Sequence, residues 1–370
     1  MTTSPSWGNP GSRSPYHMLI VGSGPAGLLA AKVAVRHGAR VALIERNLLG
    51  GTCLNKGCIP SKTLIRTSRL YREMRDAERF GGKVPGAIVV DFPAVMQRVQ
   101  RIRARLAEAD SEERLTAMGI DVYFGAARFA GPRSVTVGAK VLHFEKALVA
   151  TGALPVRPPI PGLEEAGYLT YENVFDVTEC PKRLLVIGGG PVGCELAQAF
   201  ARLGSRVTLV QDEPMFLGHE ERDAAQLLSD SLARDGIEIH LDTRTSSVRI
   251  EGNDKVADSS ATTRSAPLRS IRSSSAWARP PTFMVWSSRP RASSTTASSA
   301  SRSTIFCGRP TLAFSQPATS VRRTNSRTSR ALRGASSWRM HCFLVGSALA
   351  RKPFRGARSR TPKLRTWACT

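Results

Sequence analysis

The chain has 370 residues, 41% of them hydrophobic, and a formal charge of +24 from 53 Lys+Arg against 29 Asp+Glu, which is room for two or three domains with cores of their own. The charge points toward nucleic acid only until it is located: residues 1–255 carry 32 basic and 28 acidic side chains, whereas residues 256–370 carry 21 and 1, so the first part is an ordinary, nearly neutral globular segment. Seven cysteines in a chain of this length exclude a secreted disulfide framework and fit a reducing, cytoplasmic compartment with one functional pair.

Residues 1–15 are polar, rich in Pro and Ser, and lack a signal pattern, so a disordered start is expected. The apolar run from Met18 is broken by glycine within four residues and is neither a signal core nor a membrane span. Tyr16–Val21 is a predicted strand that runs into Gly22-Ser-Gly24-Pro25-Ala26-Gly27 and then a helix to about His37. A second strand, Arg40–Ile44, closes at Glu45. In such a unit the glycines make a tight turn, let backbone N–H groups approach a pyrophosphate, and pack helix on strand, while the acid accepts from ribose hydroxyls.

Gly50 to Lys62 read G-G-T-C-L-N-K-G-C-I-P-S-K, placing Cys53 and Cys58 five residues apart directly after the nucleotide turn. That separation lets two sulfurs meet if a helix begins near Cys58, and Lys56 and Lys62 are the cations available to lower a thiol pKa. Gly50, Gly51 and Gly57 leave room for a cofactor beside Thr52. Further on, Asp91 is a predicted N-cap for a helix whose Val95, Val99, Ile102 and Leu106 form an apolar stripe, with solvated arginines on its other faces. Asp121–Val149 alternates in strand fashion into Ala150-Thr151-Gly152.

The nucleotide pattern then recurs: strand Arg183–Ile187, turn Gly188-Gly-Gly190-Pro191-Val192-Gly193, helix Cys194–Leu203 and strand Arg206–Val210. Gly22 to Glu45 and Gly188 to Gln211 are both 23 residues, so two dinucleotides are expected, one in each fold. Gln211 at the second ribose position decides neither NAD nor NADP. The following Asp212 and Glu213 oppose a 2′-phosphate, Arg222 stands within reach of one, and the cofactor is read as NAD(P).

With G-S-G-P-A-G, G-G-T-C-L-N-K-G-C-I-P-S-K, A-T-G and G-G-G-P-V-G-C-E-L-A all in order, Tyr16 to Lys255 resembles the pyridine nucleotide–disulfide oxidoreductases, the family of dihydrolipoamide dehydrogenase, glutathione reductase and mercuric reductase. The resemblance implies an α/β protein with tandem Rossmann-like FAD- and NAD(P)-binding domains over 16–155 and 156–255. It implies that Gly22, Gly24, Pro25, Ala26, Gly27, Glu45, Gly51, Thr52, Thr151 and Gly152 hold FAD with Lys62 near the flavin. Gly188, Gly190, Pro191, Val192, Gly193, Glu195 and Gln211 then form the NAD(P)H side. Electrons pass from NAD(P)H through FAD to the Cys53/Cys58 pair, Cys58 facing the flavin and Cys53 meeting a small-molecule disulfide, dithiol or thiol-bound metal. Asp91–Phe129 and Pro158-Pro-Ile-Pro-Gly162 look most like mercuric reductase, with dihydrolipoamide dehydrogenase the alternative. No resident metal site, nucleic-acid partner or membrane contact is implied.

Residues 256–370 break the resemblance. They show no helical or strand period, no A-x-G-D segment and no His followed five residues later by Glu. Composition reads as a disordered basic tail, and a nucleotide-binding module with a nucleic-acid-binding arm is the rival from another class. A displaced reading frame explains more. Moving the frame back one base makes Thr311–Arg330 compatible with N-A-R-I-F-A-A-G-D-V-C-S-P-Y-K-F-T-H-V-A, Ser337–Gly346 with V-V-E-N-A-L-F-L-G-R, and Phe354–Thr370 with I-P-W-C-T-F-T-D-P-E-V-A-H-V-G-L-Y. Three matches in one order and one offset are hard to obtain by accident, and the shift is read as falling between Lys255 and Ala266. Both nucleotide domains are then expected to be incomplete, the homodimerisation domain of the family to be missing, and the chain to fold poorly and not turn over.

Overall fold

The computed structural model describes residues 8–11, 15–155, 158–252, 254–261, 269–272 and 282–285. The first nucleotide fold opens with β1 (Tyr16–Val21), α1 (Pro25–Arg36) and β2 (Val41–Glu45), followed by α2 (Gly51–Asn55) and α3 (Cys58–Arg75), which carry the two cysteines. Next come α4 (Phe92–Ala107), α5 (Glu112–Ala117), β3 (Ile120–Phe124) and a meander of β4 (Ala127–Gly131), β5 (Ser134–Val137) and β6 (Lys140–Val149). These six strands form one sheet in the order β3-β2-β1-β6-β5-β4. Its first four strands are parallel, as crossover helices require, and β4 to β6 pair antiparallel. Strand β2 is buried along its whole length, the continuous apolar run expected of a strand covered on both faces.

The second fold contains α6 (Leu163–Ala166), β7 (Arg183–Ile187), α7 (Pro191–Arg202), β8 (Arg206–Val210), α8 (Arg222–Arg234) and β9 (Glu238–His240). An antiparallel sheet of β10 (Thr243–Glu251), β11 (Asp254–Ala261) and β12 (Arg269–Arg272) follows, and then β13 (Thr282–Val285). The parallel sheet runs β13-β7-β8-β9, with Thr282 opposite Leu184 and Val285 opposite Ile187. Strand β13 thus stands at the β7 edge of this sheet. The run T-F-M-V suits a strand, and the free edge of β7 pairs with it. The expected disorder of the remaining tail falls on residues outside the described set.

One core cluster crosses residue 155, joining Leu64 of α3 and Phe92, Val95, Met96 and Val99 of α4 to Val186, Leu196, Phe200 and Leu209 of the second fold, while other clusters lie wholly within one fold or the other. Asp235, with a side chain 3% exposed, binds Arg72 of α3 and Arg202 of α7, both at 2.9 Å. Residues 8–11, expected to be disordered, include Asn9, whose amide pairs both ways with the backbone of Phe124 at 3.0 and 2.8 Å. Tyr123 adds a bond to the Gly11 carbonyl and shares a buried hydroxyl pair with Tyr16, which also binds Asp121. Asp91 caps α4 by accepting from the Ala94 amide at 2.9 Å. The stripe behind it ends early, because Leu106 is 43% exposed.

Candidate active site

The first glycine turn is shaped by close approach. A Cβ on Gly27 would lie 1.9 Å from the Gly22 carbonyl oxygen, so the start of α1 packs directly on the turn. A Cβ on Gly24 would meet nothing within 4 Å, leaving open space at the N-terminus of α1. Such a terminus, with its unpaired N–H groups and positive dipole end, is suited to a pyrophosphate, and the residues present fit the adenine dinucleotide that the sequence implies. Thr151 is carried to the same place, its amide nitrogen 3.1 Å from where a Gly22 Cβ would stand, with Gly152 following.

Glu45 closes β2 as expected, but it does more than wait for a ribose. Its Oε2 accepts from the Ser23 amide at 2.9 Å and the Ser23 hydroxyl at 2.7 Å, and Oε1 accepts from the Asn47 amide at 2.8 Å. The acid therefore locks the turn it serves. Ser23, invisible to the glycine pattern, is the other half of that lock.

The redox loop is pressed onto this turn. Gly51 stands at φ +57, and a Cβ there would lie 2.7 Å from the Cα of Gly24. The position thus demands glycine on two grounds, the left-handed backbone and the contact. The Gly50 amide also donates to the Ser23 carbonyl at 3.1 Å. Helix α2 is tied at its far end by Asn55, whose Nδ2 donates to the carbonyls of Leu49 and Gly51 at 2.8 and 2.9 Å. Arg103 on α4 donates to the Asn55 carbonyl at 3.1 Å, and Arg98 donates to Thr67 at 3.0 Å. These two arginines, expected to be solvated, hold the cysteine-bearing helices in place instead.

Cys58 is the first residue of α3, and Cys53 sits in α2. Both are partly buried and stand as thiols. The Cys58 pKa is lowered to about 6, chiefly by a hydrogen bond from Cys53 and then by the charge of Lys62, against the opposing effect of burial. Cys58 is therefore mostly thiolate at neutral pH. The other described cysteines are different: burial pushes Cys180 up and Cys194 to about 12.

Lys62 meets the second fold. Its Nζ lies 2.5 Å from Oε2 of Glu195 on α7, linking the cysteine helix to the helix that follows the second glycine turn. With the side chains 61% and 38% exposed, the pair contributes little to stability and more to placing a cation near Cys58. Around it, α7 repeats the logic of α1: a Cβ on Gly193 would lie 2.2 Å from the Gly188 carbonyl oxygen. Gln211 takes the place of Glu45, its Oε1 accepting from the Gly189 amide at 2.6 Å. Gly190, Pro191 and Gln211 line a cavity of about 80 Å³, and Val192 packs from α7 against the shared core. Among the described residues no group of three or more His, Cys, Asp or Glu is placed to hold a metal ion, and no helix is long and apolar enough to cross a membrane.

Comparison with known proteins agrees with this geometry. A dihydrolipoyl dehydrogenase of Bacillus subtilis is 34% identical over 232 residues, covering 61% of this chain and 50% of that protein. A mercuric reductase of Acidithiobacillus ferrooxidans is 40% identical over 238 residues, covering 63% and 43%. Among solved structures, the HOCl-induced flavoprotein disulfide reductase RclA of Escherichia coli superposes with a TM-score of 0.60 at 29% identity, over 73% of this chain and 56% of that one. The chain spans about half the length of these curated relatives. Residues 16–269 match the sequence family described as pyridine nucleotide-disulphide oxidoreductase, whose members use FAD and NAD(P)H, and the chain belongs to that family.

Proposed function

We propose that the chain carries the electron-transfer centre of an FAD-dependent NAD(P)H:disulfide oxidoreductase of the mercuric reductase kind, acting in the cytoplasm on a thiol-bound acceptor such as Hg(II). The observation that carries this reading is the setting of Cys58: first in α3, hydrogen-bonded by Cys53, and beside Lys62. Its helix follows an α2 pressed onto the nucleotide turn. FAD, when bound, supplies the two-electron relay between a nicotinamide and the cysteine pair.

The chain's own residues account for the thiol chemistry. Cys53 passes its proton to the Cys58 thiolate along their hydrogen bond and attacks one sulfur of a substrate disulfide, forming a mixed disulfide and releasing one substrate thiolate, which takes the proton from Cys58. Cys58, anionic again at neutral pH, attacks the Cys53 sulfur, closes the Cys53–Cys58 disulfide and releases the second thiolate. A protein thiol and a protein thiolate are oxidised and one substrate disulfide is reduced. With Hg(II) the same pair acts first as a dithiolate ligand set for a soft metal. Lys62 offsets the Cys58 charge, and Glu195 holds Lys62 in place.

Dihydrolipoamide oxidation is the second reading, favoured by the Bacillus subtilis relative, and it runs the same exchange in reverse. The test is to restore the reading frame downstream of Lys255 and offer the product Hg(II) with a small thiol, and separately dihydrolipoamide with NAD+. NAD(P)H oxidation that depends on Hg(II) and is lost in Cys53→Ser supports the first reading. Turnover of dihydrolipoamide alone rejects it in favour of the second. The unrestored chain is expected to show thiol reactivity without turnover.

A further inference from the structure

The two nucleotide folds repeat one plan, so where they differ is informative about their ligands. Resting on the reading of the second fold as the nicotinamide dinucleotide site, we infer that it selects NADH and rejects NADPH, with Gln211, Glu213 and Glu220 as the selecting residues. The cavity of about 80 Å³ at the end of β8 is walled on one side by the turn Gly189–Pro191 and on the other by Gln211, Glu213 and the segment 217–220. The end of the second strand is where an adenosine ribose presents its 2′ position.

A 2′-phosphate brings close to two negative charges and needs guanidinium or ammonium partners to replace its water. Among the described residues no Lys or Arg lines this cavity, whereas two carboxylates, Glu213 and Glu220, do. His219 shares the wall with both acids. Arg222, the basic residue that follows, is occupied: Nη1 donates to the Phe216 carbonyl at 3.0 Å, and Nη2 donates to the Glu220 carbonyl at 2.9 Å and to the Leu217 carbonyl. It holds the 216–220 turn, in which Leu217 is bent to φ +48, and so builds the acidic wall.

Gln211 completes the selection. It is 9% exposed, and its Oε1 is fixed by the Gly189 amide at 2.6 Å. That bond uses the acceptor end of the amide, so the polar group left to the side chain, Nε2, is a donor for which a neutral 2′-hydroxyl can serve as acceptor. The first fold uses a carboxylate for the same backbone contact. The substitution of amide for acid leaves the second site uncharged at the contact and acidic around it.

The experiment titrates the full-length chain with NAD+ and with NADP+, following binding by saturation-transfer NMR and calorimetry, so that no flavin and no turnover is needed. NAD+ is expected to bind at least about tenfold more tightly than NADP+, a difference of about 1.4 kcal/mol. The adenosine fragment 2′,5′-ADP is expected not to displace it. Gln211→Arg with Glu213→Arg should narrow or reverse the ratio, and Glu220→Lys, which leaves the β8 contact untouched, should shift it the same way. NADP+ binding equal to or tighter than NAD+ in the unsubstituted chain overturns the inference while leaving the site intact. Binding of neither dinucleotide, by a chain whose far-ultraviolet dichroism shows it folded, overturns the reading of the second fold as a nucleotide site and the selection with it.

Discussion

The first nucleotide fold is closed over by its own chain, while the second is left open. Both use the same 23-residue interval from first glycine to ribose residue, and both have a third glycine with its Cβ position about 2 Å from a turn carbonyl. In the first, α2 is driven into the turn through Gly51 and Gly50. In the second, nothing comparable follows β8, and the segment 217–220 stands off to leave a cavity. A shared scaffold therefore sets the glycine turn in both folds, and the segment after the second strand decides what stands against it: a cysteine-bearing helix in the first, an open cavity in the second.

The largest effect that breaks this division comes from the bridge between the folds. Asp235 is buried between Arg72 and Arg202 and also accepts from Gln198 at 2.8 Å. Asp235→Ala leaves two arginines without their carboxylate and should cost about 2–4 kcal/mol, the arginines being 26% and 16% exposed. Chemical denaturation reads it. A single transition at lower midpoint fits the shared core, and a split into two transitions would show the folds to be independent.

Gly51→Ala comes next. It forces a side chain into the left-handed region and onto the Gly24 backbone, a strain of about 1–3 kcal/mol. Because α2 must lift off the turn, the substitution should also return Cys58 toward ordinary thiol behaviour, measurable as slower alkylation at pH 6. Gly138→Ala is the control at a positive φ with open surroundings, expected to destabilise without touching Cys58.

How much of this was legible beforehand depends on the range of the interaction. The strands Tyr16–Val21, Arg183–Ile187 and Arg206–Val210 fall at the bounds read from the sequence, because short apolar runs bounded by glycine or polar residues are local signals. Helix α7 starts three residues earlier than expected, at Pro191 rather than Cys194, since proline is at home in the first helical turn. That Glu45 closes a strand and that a helix begins at Cys58 were legible from local pattern. The residues that hold them were not. Arg103 reaches Asn55 across 48 residues, and Ser23 binds Glu45 across 22; no periodicity encodes such pairs.

A smaller effect separates the cysteines themselves. Reaction with iodoacetamide should rise through a midpoint near pH 6 for Cys58 and leave Cys194 untouched, its thiol being buried and pushed up to about 12. At pH 6 a thiol of that pKa is half ionised, against roughly 0.3% for an unperturbed cysteine. Lower basicity takes back about a factor of ten in nucleophilicity, so the net advantage is roughly tenfold.

The finest test asks which partner lowers the Cys58 pKa. Hydrogen bonding from Cys53 comes first and the Lys62 charge second. Cys53→Ser keeps a donor and should move the midpoint little, whereas Cys53→Ala removes it and should raise the midpoint clearly. Lys62→Met should raise it by less, because an exposed ammonium is screened by water and salt. The linkage to stability has a definite sign. A thiol with a depressed folded pKa contributes stability that is full above the unfolded value, about 8.5, and is lost as pH falls through the folded one, about 6. Thermal midpoints of the parent chain should therefore fall relative to those of Cys53→Ala between pH 8.5 and 6, and converge below. If Lys62→Met shifts the alkylation midpoint more than Cys53→Ala does, charge outranks the hydrogen bond, and the link from the second fold through Glu195 becomes the main control on the thiolate.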